Sequence, residues 1–356
     1  MTRDDTCAGV DSRVVETDRL ETHVLEAGDS DGAPVVFLHG NVSSSRFFED
    51  TLVDLPESYR AIAPDMRGYG DSETKPVDAT NGLGDFAGDL RAFLTDLRID
   101  ESVTLVGWSN GGGVAMRYAI DFPEAVDALV LVNPVSPYGF GGTKDVEGTP
   151  CFDDYAGSGG GIGNDEFVSA LAERDRDPSG EASPRKILRT YYVDPTHEFD
   201  PDREESYLTG MLDTVIGEKN YPGSAIESEH WPGVAPGDTG VNNAVSPKYC
   251  TLDEITDIDE DEKPAVRWIR GDSDQIVSNE SMFDLGTLGR MGQLPGWPGE
   301  DVFPPQPMVD QTRAVLEEYA DRGGAYEEVV FGNTGHTPHV EVPGDFMARL
   351  EEFLSH

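Results

Sequence analysis

Residues 103–113 read VTLVGWSNGGG, and the fold is decided here. VTLVGW is an almost unbroken apolar run, as expected of a strand covered by helices on both faces. The residues behind it form a helix through Val114, Met116 and Ile120. At the junction, Gly107-Trp108-Ser109-Asn110-Gly111 fits the pattern G-x-S-x-G in its strand-turn-helix setting. A turn this sharp needs small residues at 107 and 111 so that backbone can approach a strained serine. Ser109 then stands at a helix N-terminus, where free N–H groups favour developing negative charge.

Outward from this turn, short β-rich runs at 22–27, 34–39, 60–64 and 128–133 alternate with amphipathic stretches such as 83–97. This is the rhythm of parallel βαβ units and of an α/β fold. The rhythm breaks after Pro134, where the chain becomes rich in Gly, Pro, Asp and aromatics, and resumes at 265–271 (AVRWIRG). We read 1–134 and 263–356 as two parts of one α/β core, with 135–262 as an inserted cap or lid. A helix from 308 to 320, a strand from 325 to 331 and a closing helix from 344 to 354 complete the core. The glycine-rich AGSGGGIG (156–163) lacks the Lys-Ser/Thr ending of a phosphate loop and reads as a hinge or turn. The acidic run around DIDEDE lacks the glycine and terminal glutamate of a calcium loop.

A serine hydroxyl needs a base, and the base needs an orienting acid. The acid candidates lie in Gly271-Asp272-Ser273-Asp274, just after a strand, and Asp274 is preferred to Asp272. Among the histidines, His336, preceded by Gly335 in the loop after EEVVF, is preferred to His339. His39 reads as a structural residue behind the loop His39-Gly40-Asn41. The backbone N–H groups of Asn41 and Asn110 are expected to converge on the oxygen that becomes negative in a tetrahedral intermediate.

With these residues assembled, the chain resembles the α/β-hydrolase superfamily, specifically the group with a cap inserted after the sixth strand. The resemblance rests on HGN (39–41), DMRGYGDS (65–72), GWSNGG (107–112), GDSDQIV (271–277) and NTGHTPHVE (333–341). It implies an α/β-hydrolase fold with a mostly parallel sheet flanked by helices. Ser109 then maps to the nucleophile, Asp274 to the acid, His336 to the base, and Asn41 and Asn110 to the oxyanion hole. Arg67, Asp71 and Ser72 map to a structural loop. HGN and the Trp before the nucleophile are also similar to haloalkane dehalogenases, in which Asn and Trp side chains hold the halide. That similarity makes Asn41 and Trp108 candidate substrate contacts. Those enzymes attack with a carboxylate; a serine would leave a stable ether, which disfavours alkyl halide and epoxide chemistry here. The implied activity is cleavage of a carboxylic ester or related acyl bond. Lactonase, amidase or peptidase, and C–C bond hydrolase share the apparatus, and a non-catalytic ligand receptor is the reading from another class. Neither metal nor cofactor is expected.

Composition bounds the partners. Asp and Glu number 69 against 26 Lys and Arg, a formal charge of −43 over 356 residues. Without a basic patch, nucleic-acid binding is not expected. An apolar content of 37% argues against a disordered acidic chain. A halophilic cytoplasmic protein reconciles the two, because concentrated salt shortens the Debye length to a few ångströms. No run approaches a membrane span and the N-terminus has no signal core, so no membrane partner is expected. Cys7, Cys151 and Cys250 lack metal-ligand spacing, and whether Cys151 and Cys250 meet is left open, as is oligomeric state. The expected partner is a small ester or acyl substrate. Tyr138, Phe140, Tyr191, Tyr192, Tyr221 and Trp231 are candidates for an apolar acyl pocket.

Overall fold

The apolar runs pair into an eight-stranded sheet in a computed structural model that describes residues 6–355. In chain order the strands are β1 (Asp11–Glu16), β2 (Glu21–Gly28), β3 (Ala33–Leu38), β4 (Tyr59–Pro64), β5 (Val103–Trp108) and β6 (Val126–Val132). After β6 come β7 (Ile216–Gly217), β8 (Tyr221–Pro222), β9 (Ala225–Glu227) and β10 (Val234–Pro236), which form two small separate pairs. The main sheet closes with β11 (Ala265–Gly271) and β12 (Tyr326–Phe331). Its order is β1-β2-β4-β3-β5-β6-β11-β12. Every residue of β5 is buried, as its sequence requires.

The helices are α1 (Glu49–Asp54), α2 (Gly84–Asp96), α3 (Asn110–Asp121), α4 (Asp165–Ala172), α5 (Pro184–Ile187), α6 (Pro201–Leu212) and α7 (Val241–Ala244). They continue with α8 (Leu285–Arg290), α9 (Met308–Asp321), α10 (Pro338–Glu341) and α11 (Pro343–Leu354). α3 begins immediately after Ser109, which is its N-cap residue at the end of β5.

Six strands, from β4 through β12, run parallel as expected, but β1 pairs antiparallel with β2, and β2 antiparallel with β4. β1 was not anticipated. Only residues 17–20 separate it from β2, too short a connection for a parallel crossover. Between β6 and β11 the chain leaves the sheet and carries α4–α7 and the two small strand pairs. Within it, AGSGGGIG is a closely packed turn: a Cβ at Gly160 would lie 2.6 Å from the Gly223 carbonyl carbon.

The β5–α3 turn is the tightest packing point at the site. A Cβ at Gly107 would stand 2.4 Å from the Gly111 carbonyl oxygen, and one at Gly111 would stand 2.1 Å from the Leu38 carbonyl oxygen. Backbone cannot yield as a flexible side chain does. Gly111→Ala is expected to destabilise the protein by about 3 kcal/mol or more. Gly344→Ala, where nothing lies within 4 Å in α11, should be neutral or mildly stabilising. Urea unfolding of both variants in molar KCl checks this; equal midpoints would show that the turn can relax.

Candidate active site

Ser109 sits between β5 and α3 with φ 55° and ψ −119°, a left-handed conformation that costs about 1–3 kcal/mol in a residue with a Cβ. Backbone bonds hold it there. Its N–H donates to the Val132 carbonyl at 2.9 Å, and its carbonyl accepts from Val135 N–H at 3.0 Å. The next loop approaches closely: a Cβ at Gly40 would lie 3.0 Å from Ser109 Cβ. The two residues expected to donate to an oxyanion therefore flank one serine. Among the described residues, neither Asn41 N–H nor Asn110 N–H has a protein acceptor. That is the normal state of the first N–H of a helix at Asn110.

Asp274 and His336 meet. His336 Nδ1 lies 2.8 Å from Asp274 Oδ2, with both side chains 2% exposed. The other carboxylate oxygen of Asp274 accepts from Ile276 N–H at 2.7 Å and Val277 N–H at 3.1 Å, which fixes its plane. With Nδ1–H donated to a carboxylate, Nε2 is left as the basic nitrogen. Asp272 is turned elsewhere, its Oδ1 accepting from Asn333 N–H at 2.7 Å. Ser109, Asn41, Asn110 and His336 line one cavity of ≈ 370 Å³. Its wall is mainly apolar, and of the six aromatic candidates Phe140, Tyr191, Tyr192 and Tyr221 take part, whereas Tyr138 and Trp231 do not.

The expectation that Trp108 contacts substrate is corrected. Its side chain points into the core, fully buried, and Nε1–H donates to the His336 carbonyl at 2.8 Å. Alternation along β5 puts residue 108 on the face opposite residue 107, beneath the turn, so Trp108 braces the imidazole loop from below. His339 lies in the same packing, stacked on Phe48 at 4.6 Å, and burial draws its pKa down to about 3, with the His336 charge adding to the effect. It is a neutral plate at ordinary pH. His39 sits behind its loop as expected: Nδ1 lies 2.8 Å from the Gly40 carbonyl, and Nε2 accepts from Met66 N–H at 3.0 Å. Arg67 is paired bidentately with Asp89 at 2.6 and 2.7 Å, consistent with a structural loop.

Several residues not foreseen from the sequence hold the site. Asn133, with φ 40°, donates from Nδ2 to the carbonyls of Gly335 (3.2 Å) and His336 (3.0 Å) and accepts at Oδ1 from Gly271 N–H (3.2 Å). One amide thus ties β6, β11 and the imidazole loop. A polar residue ending the apolar run ALVLV was a visible signal. Glu341 accepts from Gly335 N–H at 2.9 Å, Thr337 N–H at 3.2 Å and Asp194 N–H at 2.7 Å, clamping the same loop to the segment between β6 and β11. The Asn41 carboxamide is also engaged. Oδ1 accepts from Tyr69 Oη–H at 2.6 Å, and Nδ2 donates to Asn242 Oδ1 at 3.0 Å. Tyr192 Oη–H donates to the Val42 carbonyl at 3.0 Å. Partners such as Asn242, two hundred residues away in sequence, carry no local signal.

The three cysteines are free, and no cluster of His, Cys, Asp and Glu that could hold a metal is found among the described residues. Nor, among them, is any helix long and apolar enough to cross a membrane.

Known proteins share the fold that carries this geometry. A family model described as alpha/beta hydrolase fold matches residues 33–149. An epoxide hydrolase of Caenorhabditis elegans is 31% identical over 133 residues, which is 37% of this chain and 32% of that protein. An uncharacterized protein of Mycobacterium tuberculosis is 37% identical over 115 residues, 32% of this chain and 31% of its own. The chain therefore spans about a third of the length of these curated relatives. Among solved structures, an esterase from Rhodococcus superposes with TM-score 0.59 at 20% identity, covering 98% of both chains. A putative aryl esterase from Burkholderia cenocepacia superposes with TM-score 0.59 at 18% identity, covering 97% of this chain and 98% of that one. With the sheet order, the turn at Ser109 and these likenesses together, the chain has the α/β-hydrolase fold.

Proposed function

We propose that the protein is a serine hydrolase cutting a carboxylic ester or related acyl bond, with Ser109 as nucleophile, His336 as base and Asp274 as orienting acid. The observation that carries this reading is the buried 2.8 Å His336–Asp274 pair, whose imidazole opens onto the same cavity as the strained serine. Nε2 of His336 takes the Ser109 proton as Oγ attacks the carbonyl carbon, and the N–H groups of Asn41 and Asn110 stabilise the resulting oxyanion. Collapse expels the leaving group, which takes the proton from His336, and leaves an acyl-enzyme. Water deprotonated by the same nitrogen then releases the acid and restores Ser109. Asp274 keeps the ring in one tautomer and stabilises its cation.

Residues 135–262 act in this reading as a cap on the core formed by 1–134 and 263–356, since Phe140, Tyr191, Tyr192 and Asn242 wall the cavity. An epoxide hydrolase among the relatives does not alter the assignment, because Ser109 opening an epoxide would be trapped as an ether. Lactones, amides and C–C bonds remain substrates of the same chemistry, separable by a screen in molar KCl.

A fluorophosphonate probe should label the wild type in high salt and leave Ser109→Ala unlabelled; absence of label on folded wild type would favour a ligand receptor. Asp274→Asn should lower kcat by about 10³- to 10⁴-fold. Asp272→Asn should stay within a few-fold, and the reverse order would move the acid to residue 272. Asn133→Ala, which leaves Gly271 N–H and the Gly335 carbonyl without their side-chain partner while the His336 carbonyl keeps only Trp108 Nε1–H, should lose about 2 kcal/mol or more of stability. It should also lose at least tenfold in kcat, measured by unfolding and ester hydrolysis; unaltered kcat would mean the imidazole loop is held without it.

The net charge of −43 supports a cytoplasmic protein of a salt-rich cell. The unfolding midpoint should therefore rise steeply between dilute buffer and molar KCl. A flat dependence would remove this reading and leave the hydrolase intact.

A further inference from the structure

The loop that carries Asn41 is held in a costly shape. Val42, at its bend, has φ 46°, a left-handed conformation that is an outlier for a β-branched residue. Such a conformation persists only where its surroundings over-determine it. Here three successive peptides are pinned. The Gly40 carbonyl accepts from Ser43 Oγ–H at 2.7 Å and from His39 Nδ1–H at 2.8 Å. The His39 proton is on Nδ1 because Nε2 accepts from Met66 N–H. Asn41 Oδ1 accepts from Val42 N–H at 3.0 Å. The carbonyls of Asn41 and Val42 share one donor, Tyr192 Oη–H, at 3.2 and 3.0 Å. Burial pushes the Tyr192 phenol well above its usual range, so this donor keeps its proton at any working pH.

In a trans peptide the N–H and the C=O point to opposite edges. Fixing the Gly40 carbonyl from two sides therefore fixes the direction of Asn41 N–H, which is turned away from His39 and Ser43 and has no protein acceptor among the described residues. The same peptide lies against Ser109, since a Cβ at Gly40 would stand 3.0 Å from Ser109 Cβ. Strain at the next residue works against this aim. Rotation of Val42 toward an ordinary φ would swing the Asn41 carbonyl and drag residue 41 with it. The Tyr192 hydroxyl opposes that rotation, because the two carbonyls it bridges would part. Tyr192 belongs to the segment between β6 and β11, and its ring packs edge-on against Trp108 with centroids 5.9 Å apart. A hydroxyl from outside the sheet thus governs an N–H at the sheet edge.

We propose that Tyr192, together with Ser43, is a positioning residue that holds Asn41 N–H aimed at the oxyanion before substrate arrives. This rests on the serine-hydrolase reading. The contribution is to the transition state: a donor aligned in advance needs no reorganisation as charge develops, whereas a misaligned one still admits substrate.

The test measures kcat and KM for p-nitrophenyl hexanoate with the full chain in molar KCl, together with inhibition by 1,1,1-trifluorooctan-2-one and by octan-2-one. With the trifluoro ketone, Ser109 Oγ bonds to the carbonyl carbon, the C=O π pair moves onto oxygen as an oxyanion, and the serine proton passes to His336 Nε2. Octan-2-one stays a ketone and reports ground-state binding. Tyr192→Phe, which keeps the ring, should lower kcat by about tenfold or more with KM within about threefold. Affinity for the trifluoro ketone should fall by a similar factor, while affinity for octan-2-one stays within about threefold. Ser43→Ala should repeat the pattern, and it stands in for Tyr192→Phe if that variant does not fold. Where the ester is not cut, the rate of fluorophosphonate labelling, which develops the same charge, replaces kcat. Unaltered rate in either folded variant, or equal loss of affinity for the two ketones, would overturn the positioning role and leave the hydrolase reading standing. Absence of both hydrolysis and labelling in the wild type would overturn the two readings together.

Discussion

The turn at Ser109 exists because no Cβ stands at residues 107 and 111. Where the Gly111 hydrogen lies, a methyl group would be driven into the Leu38 carbonyl, so β3 and the start of α3 could not share the space they occupy. The approach of β3 carries His39, Gly40 and Asn41 up beside the serine. On the other side, the bond from Ser109 N–H to Val132 fixes the end of β6, and Asn133 follows immediately. That amide reaches both Gly271 at the end of β11 and the His336 loop after β12. The relative placement of Ser109, Asp274 and His336 thus propagates sideways across four parallel strands from one point of backbone contact.

Much of this was legible in the sequence for a physical reason: parallel strands buried on both faces must be continuously apolar, and their C-terminal ends gather at one edge. VTLVGW, ALVLVN and AVRWIRG announced themselves in that way, and the residues following them had to be neighbours. β1 escaped because an edge strand needs only one buried face, and in DSRVVE only Val15 is buried. Trp108 was misread because resemblance to halide-binding proteins was weighed above the alternation of the strand. Tyr69 and Asn242 could not be found in these roles, and Tyr192 was legible only as a pocket aromatic, not as a tether of the Asn41 loop. Each acts by side-chain hydrogen bonding to a loop distant in sequence, and such a contact leaves no periodicity behind.

Those late-found residues give the segment between β6 and β11 a second task. Tyr192 and Asn242 grip the loop of Asn41, and the backbone of Asp194 is tied through Glu341 to the loop of His336. A segment that only roofed the cavity could drift by an ångström with little effect on chemistry. One bonded to both the Asn41 loop and the His336 loop cannot, in the hydrolase we propose, because errors of that size in a reacting group are costly. In the proposed cycle, selectivity and rate would therefore be coupled through the same hydrogen bonds. Remodelling this segment for a new substrate must preserve the contacts at 192, 194 and 242.

The acidity of the chain bears on how these contacts survive. Its few bases sit mostly where they join separate elements: Arg203 of α6 pairs with buried Glu49 of α1 at 2.9 Å, and buried Arg67 pairs with Asp89 of α2 at 2.6 and 2.7 Å. Breaking a buried pair costs several kcal/mol, because one charge is left without compensation. The exposed pairs contribute little and are screened by salt. Raising ionic strength therefore removes long-range repulsion among surface carboxylates while sparing the buried pairs, which bulk ions do not reach. What then holds the site is the continuous apolar core under β3, β5 and β6, together with short-range pairs that salt leaves intact. A surface this negative is tolerable for that reason: the geometry around Ser109 does not rely on it.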